Sequence, residues 1–131
     1  LIVADATILA NAVGDDHTDG AAARQELRQA QEVAVPDLVN VETAAVLRKR
    51  WIAGDMTADR LDKAIDALIK LPLRRYPTVG LLKRALELRS NVTPYDGVYV
   101  ALAEALTADL LTADRKLAAA PGTRCVIRVI T

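Results

Sequence analysis

Four carboxylates in this sequence are set apart by their surroundings. Asp5 ends the apolar run Leu1-Ile2-Val3-Ala4, Asp114 ends Leu111-Thr112-Ala113, Asp96 follows Thr93-Pro94-Tyr95, and Glu42 is the one charge between Leu38 and Leu47. Leu38 and Val46, a turn to either side of Glu42, share its helix face, which predicts an inward-looking carboxylate. An ionised carboxylate buried without a partner is costly, so it either takes up a proton or meets a cation. Four acids converging on one crevice would repel and raise one another's pKa values unless a positive ion sits between them. Such an all-oxygen donor set suits hard divalent cations such as Mg²⁺ or Mn²⁺. Softer ligands are scarce: the chain has one cysteine, Cys125, and one histidine, His17, in the polar stretch Asp15–Asp19 that reads as a surface loop. A zinc site is thereby excluded. Each acid also has a purely structural role open to it. Asp5 and Asp114 can cap helices, and Asp96 can partner Thr93 in a capping box.

Bringing these acids together requires a particular arrangement of elements. Leu1–Ala4 is a continuous apolar run, as expected of a central parallel strand buried on both faces. Val33–Val35, stopped by Pro36, predicts a second strand, and Leu71–Tyr76, broken by Pro72, an edge strand. Leu110–Thr112 and Cys125–Ile130 predict two more. Helical spacing fills the gaps, first in the segment after Pro36 that carries Glu42. Leu61, Ile65, Leu68 and Ile69 form one apolar face, and Val79, Leu82 and Leu86 another. Thr93 as N-cap with Pro94 at the first helical position opens a helix through Val98, Ala101, Leu102 and Ala105. Strands alternating with helices predict an α/β fold: a single domain over residues 1–131, with a short parallel sheet of four to five strands flanked by helices on both faces. In such a sheet chemistry collects outside the carboxyl ends of the strands, where the four acids fall.

Composition narrows the partners. Seventeen basic and seventeen acidic residues leave no net charge, which argues against holding nucleic acid by bulk charge. Aromatic residues are 3% with no Phe, which disfavours a binding surface built from many stacking rings. Contact with a polyanion would have to come from local charge. Arg115 and Lys116 directly follow Asp114, and Lys49 lies seven residues after Glu42 on roughly the same helix face. All three are ordinary solvated positions whose nearness to the acids favours phosphate contact. Trp51 and the Leu61–Ile69 helix fit packing or a partner surface better than base stacking. The absence of an apolar run of ~20 residues and of a basic-apolar leader, with an unpaired Cys125, gives a cytoplasmic expectation.

Taken in order, four motifs resemble the PIN domain over nearly the whole chain. They are Asp5-Ala6-Thr7 after an apolar strand, Pro36 with Glu42 six residues on, Asp96 leading Val98-Tyr99-Val100-Ala101-Leu102-Ala103, and Thr112-Ala113-Asp114 followed by Leu117. Length and single-domain layout are most similar to the VapC toxins of bacterial toxin–antitoxin pairs. The resemblance implies a Mg²⁺- or Mn²⁺-dependent endoribonuclease, neutralised by a VapB-type antitoxin and forming a homodimer. Carried over residue by residue, the family's acidic site falls on Asp5, Glu42, Asp96 and Asp114, with Thr7 and Thr112 at its supporting hydroxyl positions. Asp5 and Asp96 are the expected direct ligands, while Glu42 and Asp114 complete the site through water or orient the nucleophile. One cation, or two about 4 Å apart, would polarise the phosphodiester and activate water.

Other classes fit less well. A Rossmann cofactor enzyme needs a glycine-rich turn after the first strand, and Asp5-Ala6-Thr7-Ile8-Leu9-Ala10 has none. A phosphoryl-aspartate hydrolase would carry a second Asp where Thr7 stands. The alternative is a catalytically silent, PIN-like adaptor that only binds partners, against which the presence of all four acids argues.

Overall fold

Strand β1 (Ile2–Ala4) lies at the centre of a five-stranded sheet in the computed structural model, which describes residues 1–131. Its neighbours are β2 (Val33–Pro36) and β4 (Asp109–Thr112), with β3 (Leu73–Tyr76) and β5 (Ile127–Val129) at the edges, and every pairing is parallel. Register sets Val3 beside Ala34 on one side and Leu110 on the other. Consecutive residues of a strand face opposite sides of a sheet, yet Val3 and Ala4, Ala34 and Val35, and Leu110 and Leu111 are all sealed from solvent. Both faces are therefore covered, which is why these strands read as unbroken apolar runs.

The covering helices form two groups. One comprises α1 (Ala6–Gly14), α2 (Thr18–Gln29), α3 (Val39–Ile52) and α4 (Ala58–Lys70), with α1 packed against the other three. The other pairs α6 (Pro94–Leu106), which lies on β1, β2 and β4, with α5 (Leu82–Glu87), which follows a single 3₁₀ turn at Val79–Leu81. A Cβ on Gly97 would come within 2.9 Å of the Ala85 Cβ and 3.0 Å of its carbonyl oxygen, so glycine lets α5 and α6 approach closely. The short α7 (Arg115–Ala118) follows β4. No helix is long and apolar enough to cross a membrane.

Several details differ from the sequence expectations. The face before Asn91 is reversed: Val79, Leu82 and Leu86 lie outward, while Leu81, Ala85 and Leu88 enter the core. Both triplets have helical spacing, and only the position of α6 decides between them. Helix α2 is not signalled by any apolar stripe, because Gly20 and Ala23 are the residues it buries. His17, expected in a loop, is exposed at the N-cap position of that helix. Strand β3 begins at Leu73, since Pro72 cannot donate to the ladder, and β5 spans three residues rather than the six from Cys125 to Ile130. Ile69 does not join the core face of α4, which is Ala64 and Leu68; it is exposed.

Candidate active site

Two turns, one after β1 and one after β4, meet the first turns of α3 and α6 at the carboxyl edge of the central strands. Asp5 is the N-cap of α1 and only 4% exposed. Its Oδ1 accepts the Thr7 and Ile8 N–H groups at 3.0 and 3.1 Å and the Thr7 hydroxyl at 2.6 Å, while Oδ2 accepts the Thr112 hydroxyl. Those hydroxyls are themselves fixed. Thr7 Oγ1 accepts the Ala113 N–H at 2.9 Å and Thr112 Oγ1 accepts the Asp114 N–H at 3.0 Å. Asp5 thus ties the β1–α1 turn to the β4–α7 turn. A carboxylate offers about four lone-pair sites. Three bonds occupy Oδ1, which leaves Oδ2 as the oxygen with room for a cation. Burial pushes the Asp5 carboxyl above its ordinary range, against the pull of the Thr112, Thr7 and Ile8 hydrogen bonds.

Glu42 stands in the first turn of α3. The face that α3 buries is Val39, Thr43 and Leu47, so Glu42 is at its margin, half-buried, rather than at its centre. Its Oε1 accepts the Tyr99 hydroxyl at 2.7 Å. Burial raises its pKa, the Tyr99 bond pulls it back, and the charges of Asp96 and Asp5 push it up again.

Asp96 lies in the first turn of α6, where Thr93 Oγ1 accepts its N–H at 3.3 Å. Only that half of the capping box forms. The Asp96 carboxylate accepts no hydrogen bond from any donor of the chain. Burial raises its pKa, followed by the charges of Asp5 and Asp114. Asp114 is exposed and does act as a cap, accepting the Lys116 N–H at 2.9 Å as α7 begins. Asp5, Asp96 and Glu42 thus stand at or near the positive ends of α1, α6 and α3, which offsets part of their mutual repulsion.

The sequence candidates therefore fall into two groups. Asp5, Glu42 and Asp96 feel one another's charge directly, and Asp114 joins them through Asp96. Yet no three of the chain's His, Cys, Asp and Glu side chains close on a single point. Arg115 and Lys116 are exposed beside Asp114. Lys49 shares a groove of about 510 Å³ with Glu42, lined also by Val41, Ala45, Val46, Arg48 and Tyr95. The basic run on α3 is split, because Arg50 turns away to donate to Asn11 Oδ1 at 2.6 Å. A cavity of about 680 Å³ at the opposite ends of α1 and α3 holds Asp15, Asp16, Arg50 and Arg60, and its arginines are already engaged.

Tyr99 is the residue that sequence reasoning passed over. It is 1% exposed, and burial and the Glu42 bond drive its hydroxyl far above the ordinary tyrosine range. The available signal was a lone hydroxyl inside Val98–Ala103, one helical turn from Asp96.

Comparison with known proteins gives the family. The PIN domain family matches residues 2–122. Ribonuclease VapC9 of Mycobacterium tuberculosis is 38% identical over 130 residues, covering 99% of this chain and 98% of that protein. Ribonuclease VapC1 of the same organism is 36% identical over 129 residues, covering 98% and 96%. Among solved structures, M. tuberculosis VapC20, described as a sarcin-ricin loop cleaving toxin, superposes with a TM-score of 0.72 at 16% identity over 96% of this chain and 98% of that one. VapBC2 of Rickettsia felis, solved bound to a DNA fragment from its promoter, gives 0.63 at 15% identity over 98% and 97%. At those identities the structures speak to the fold alone.

Proposed function

This chain belongs to the PIN-domain family as a VapC-type toxin, and from that premise we propose how its residues divide the work. The protein is an endoribonuclease. Asp5, Glu42, Asp96 and Asp114 form its active site and hold a divalent cation, Mg²⁺ or Mn²⁺. The observation that carries this assignment is the Asp96 carboxylate, which accepts no hydrogen bond from the chain and lies near enough to Asp5 and Asp114 for their charges to raise its pKa.

The donor set fits a hard cation. It is all oxygen, His17 is at the far end of α1, and Asp5 Oδ2 retains an open lone pair. Three carboxylates do not converge on one point, which suits an ion that keeps several of its own waters and takes only one or two protein oxygens directly. When bound, the cation supplies charge stabilisation at the phosphodiester and a lowered pKa for water. The chain's residues do the rest. Asp5 and Asp96 provide direct oxygens, with Asp5 immobilised by Thr7 and Thr112. Glu42, whose pKa is raised, accepts a proton from the attacking water, and Tyr99 holds it in place. Asp114 completes the negative ring from its capped position. Arg115, Lys116 and Lys49 contact phosphates on either side of the scissile bond.

The partner is an antitoxin of the VapB type, and the working compartment is the cytoplasm where RNA is met. A homodimer would cover the outward stripe of Val79, Leu82 and Leu86 on the 3₁₀ turn and α5. Incubating the antitoxin-free chain with RNA, with and without Mg²⁺, and sequencing the new ends tests the assignment. Cleavage abolished by chelation and by Asp96→Asn is expected. A chain that cuts no RNA at any divalent concentration would instead be the silent adaptor.

A further inference from the structure

The groove between α3 and Tyr95 opens beside the chemistry above and shares Glu42 and Lys49 with it. Glu42 is part of its wall, and Tyr95 immediately precedes Asp96. Two large apolar side chains are left in water here, Tyr95 at 63% and Val41 at 76% exposed, with Ala45 and Val46 also lining the groove. At about 510 Å³ the space is within the roughly 300–1,000 Å³ of pockets that hold small organic ligands. Arg48 and Lys49 stand along the same helix, about 10 Å beyond Glu42 at 1.5 Å per residue. Neither takes part in the chain's six ion pairs, whereas the adjacent Arg50 is committed to Asn11.

A flat apolar surface with free cations to one side and an acidic catalytic edge to the other complements one class of ligand. Resting on the ribonuclease assignment, we infer that this groove is a nucleobase subsite, in which one base of the RNA strand lies on the Tyr95 ring while a neighbouring phosphate meets Arg48 and Lys49. Each part of the ligand finds its match. The base face covers Tyr95 and Val41, the phosphate finds unpaired guanidinium and ammonium groups, and the next phosphate comes to the acidic edge, where the cation those carboxylates would hold offsets the like charges. Stacking is tolerant of base identity, because every base has a π-face. The subsite therefore fixes where the strand lies rather than which sequence it has. The low aromatic content is consistent with this, since one ring in the right place suffices to register a strand.

The test uses the antitoxin-free chain and a short single-stranded RNA containing one 2-aminopurine, whose fluorescence is quenched by stacking. In Mg²⁺, wild type is expected to quench the probe and cut the RNA. Tyr95→Ala loses the quench and its KM rises roughly tenfold or more, by a larger factor than its kcat falls. Tyr95→Phe keeps both properties. Lys49→Ala reduces the slope of log affinity against log salt by about 0.7, the value for one phosphate contact on a single strand. If Tyr95→Ala keeps wild-type quench and KM while wild type cuts RNA, the subsite is overturned and the ribonuclease assignment stands. If wild type cuts no RNA, the assignment falls and the subsite with it. Loss of antitoxin binding or of self-association in Tyr95→Ala, with KM unchanged, would give the groove to a protein partner and overturn the inference.

Discussion

The Tyr99 hydroxyl donates to Glu42 Oε1 at 2.7 Å and joins α6 to α3 across the mouth of the acidic crevice. Each residue solves a problem for the other. A buried phenol needs an acceptor, and a half-buried carboxylate among like charges needs a donor that stabilises its ionised form.

Removing that donor should appear as a pH effect. Tyr99→Phe takes away the bond that lowers the Glu42 pKa, while burial and the charges of Asp96 and Asp5 continue to raise it. A hydrogen bond to a charged group contributes about 1.5–3 kcal/mol, so the acid limb of the activity profile should move to higher pH by about one to two units. The profile of kcat/KM against pH measures this. A uniform loss at every pH would reduce Tyr99 to a packing residue.

Charge at Asp96 sets stability against activity. Its folded pKa is raised above the unfolded value, so the metal-free native state binds the extra proton. Stability is then highest below the unfolded pKa and declines as pH rises through the folded one. At neutral pH, Asp96→Asn should melt a few degrees higher than wild type in chelator, the scale of about 1 kcal/mol in a domain of this size. RNA cleavage should fall sharply in the same variant. A lower melting temperature with normal cleavage would return Asp96 to a helix-start role.

Divalent ions should reverse that penalty. Protons and cations compete for Asp5, Glu42 and Asp96, whose pKa values are all raised. The rise in melting temperature on adding Mg²⁺ should therefore be larger at pH 8 than at pH 5. Calorimetric titration at the two pH values should give the weaker binding in acid. Equal affinity at both would remove the carboxylates as ligands.

Thr43 offers a control within one residue of the site. It is fully buried on α3, and its hydroxyl has no hydrogen-bond partner. Thr43→Val keeps the shape and removes the orphaned group, so stability should be unchanged or rise by up to about 1–2 kcal/mol. Urea denaturation measures it. A loss of more than 1 kcal/mol would mean that the hydroxyl is satisfied in solution.

The sequence was most legible where one cause dominated. Strand β1 read correctly because burial on both faces leaves only apolar residues. The start of α6 read correctly because Thr93 and Pro94 satisfy an N-terminus in a way few other pairs do. That Asp5, Glu42 and Asp96 lie near one another was legible because each falls where a strand ends or a helix begins at the same sheet edge. What stayed hidden depended on distant partners. The inward face before Asn91 could be settled only by α6, and α2 hides a two-residue contact in a polar helix. The role of Tyr99 was hidden because its acceptor is 57 positions away. The separation of Arg50 from Arg48 and Lys49 required knowing that Asn11 lies opposite.

The free carboxylates at the crevice also impose an order of events. On the proposed assignment, a polyanion approaching the bare chain meets the charges of Asp96 and Asp114 close to the exposed Arg115 and Lys116, and like charges repel most strongly where water is partly excluded. On that assignment the ion would arrive first and the strand second. Divalent concentration would then gate encounter as well as cleavage, and a chain depleted of its ion is expected to associate with RNA more slowly.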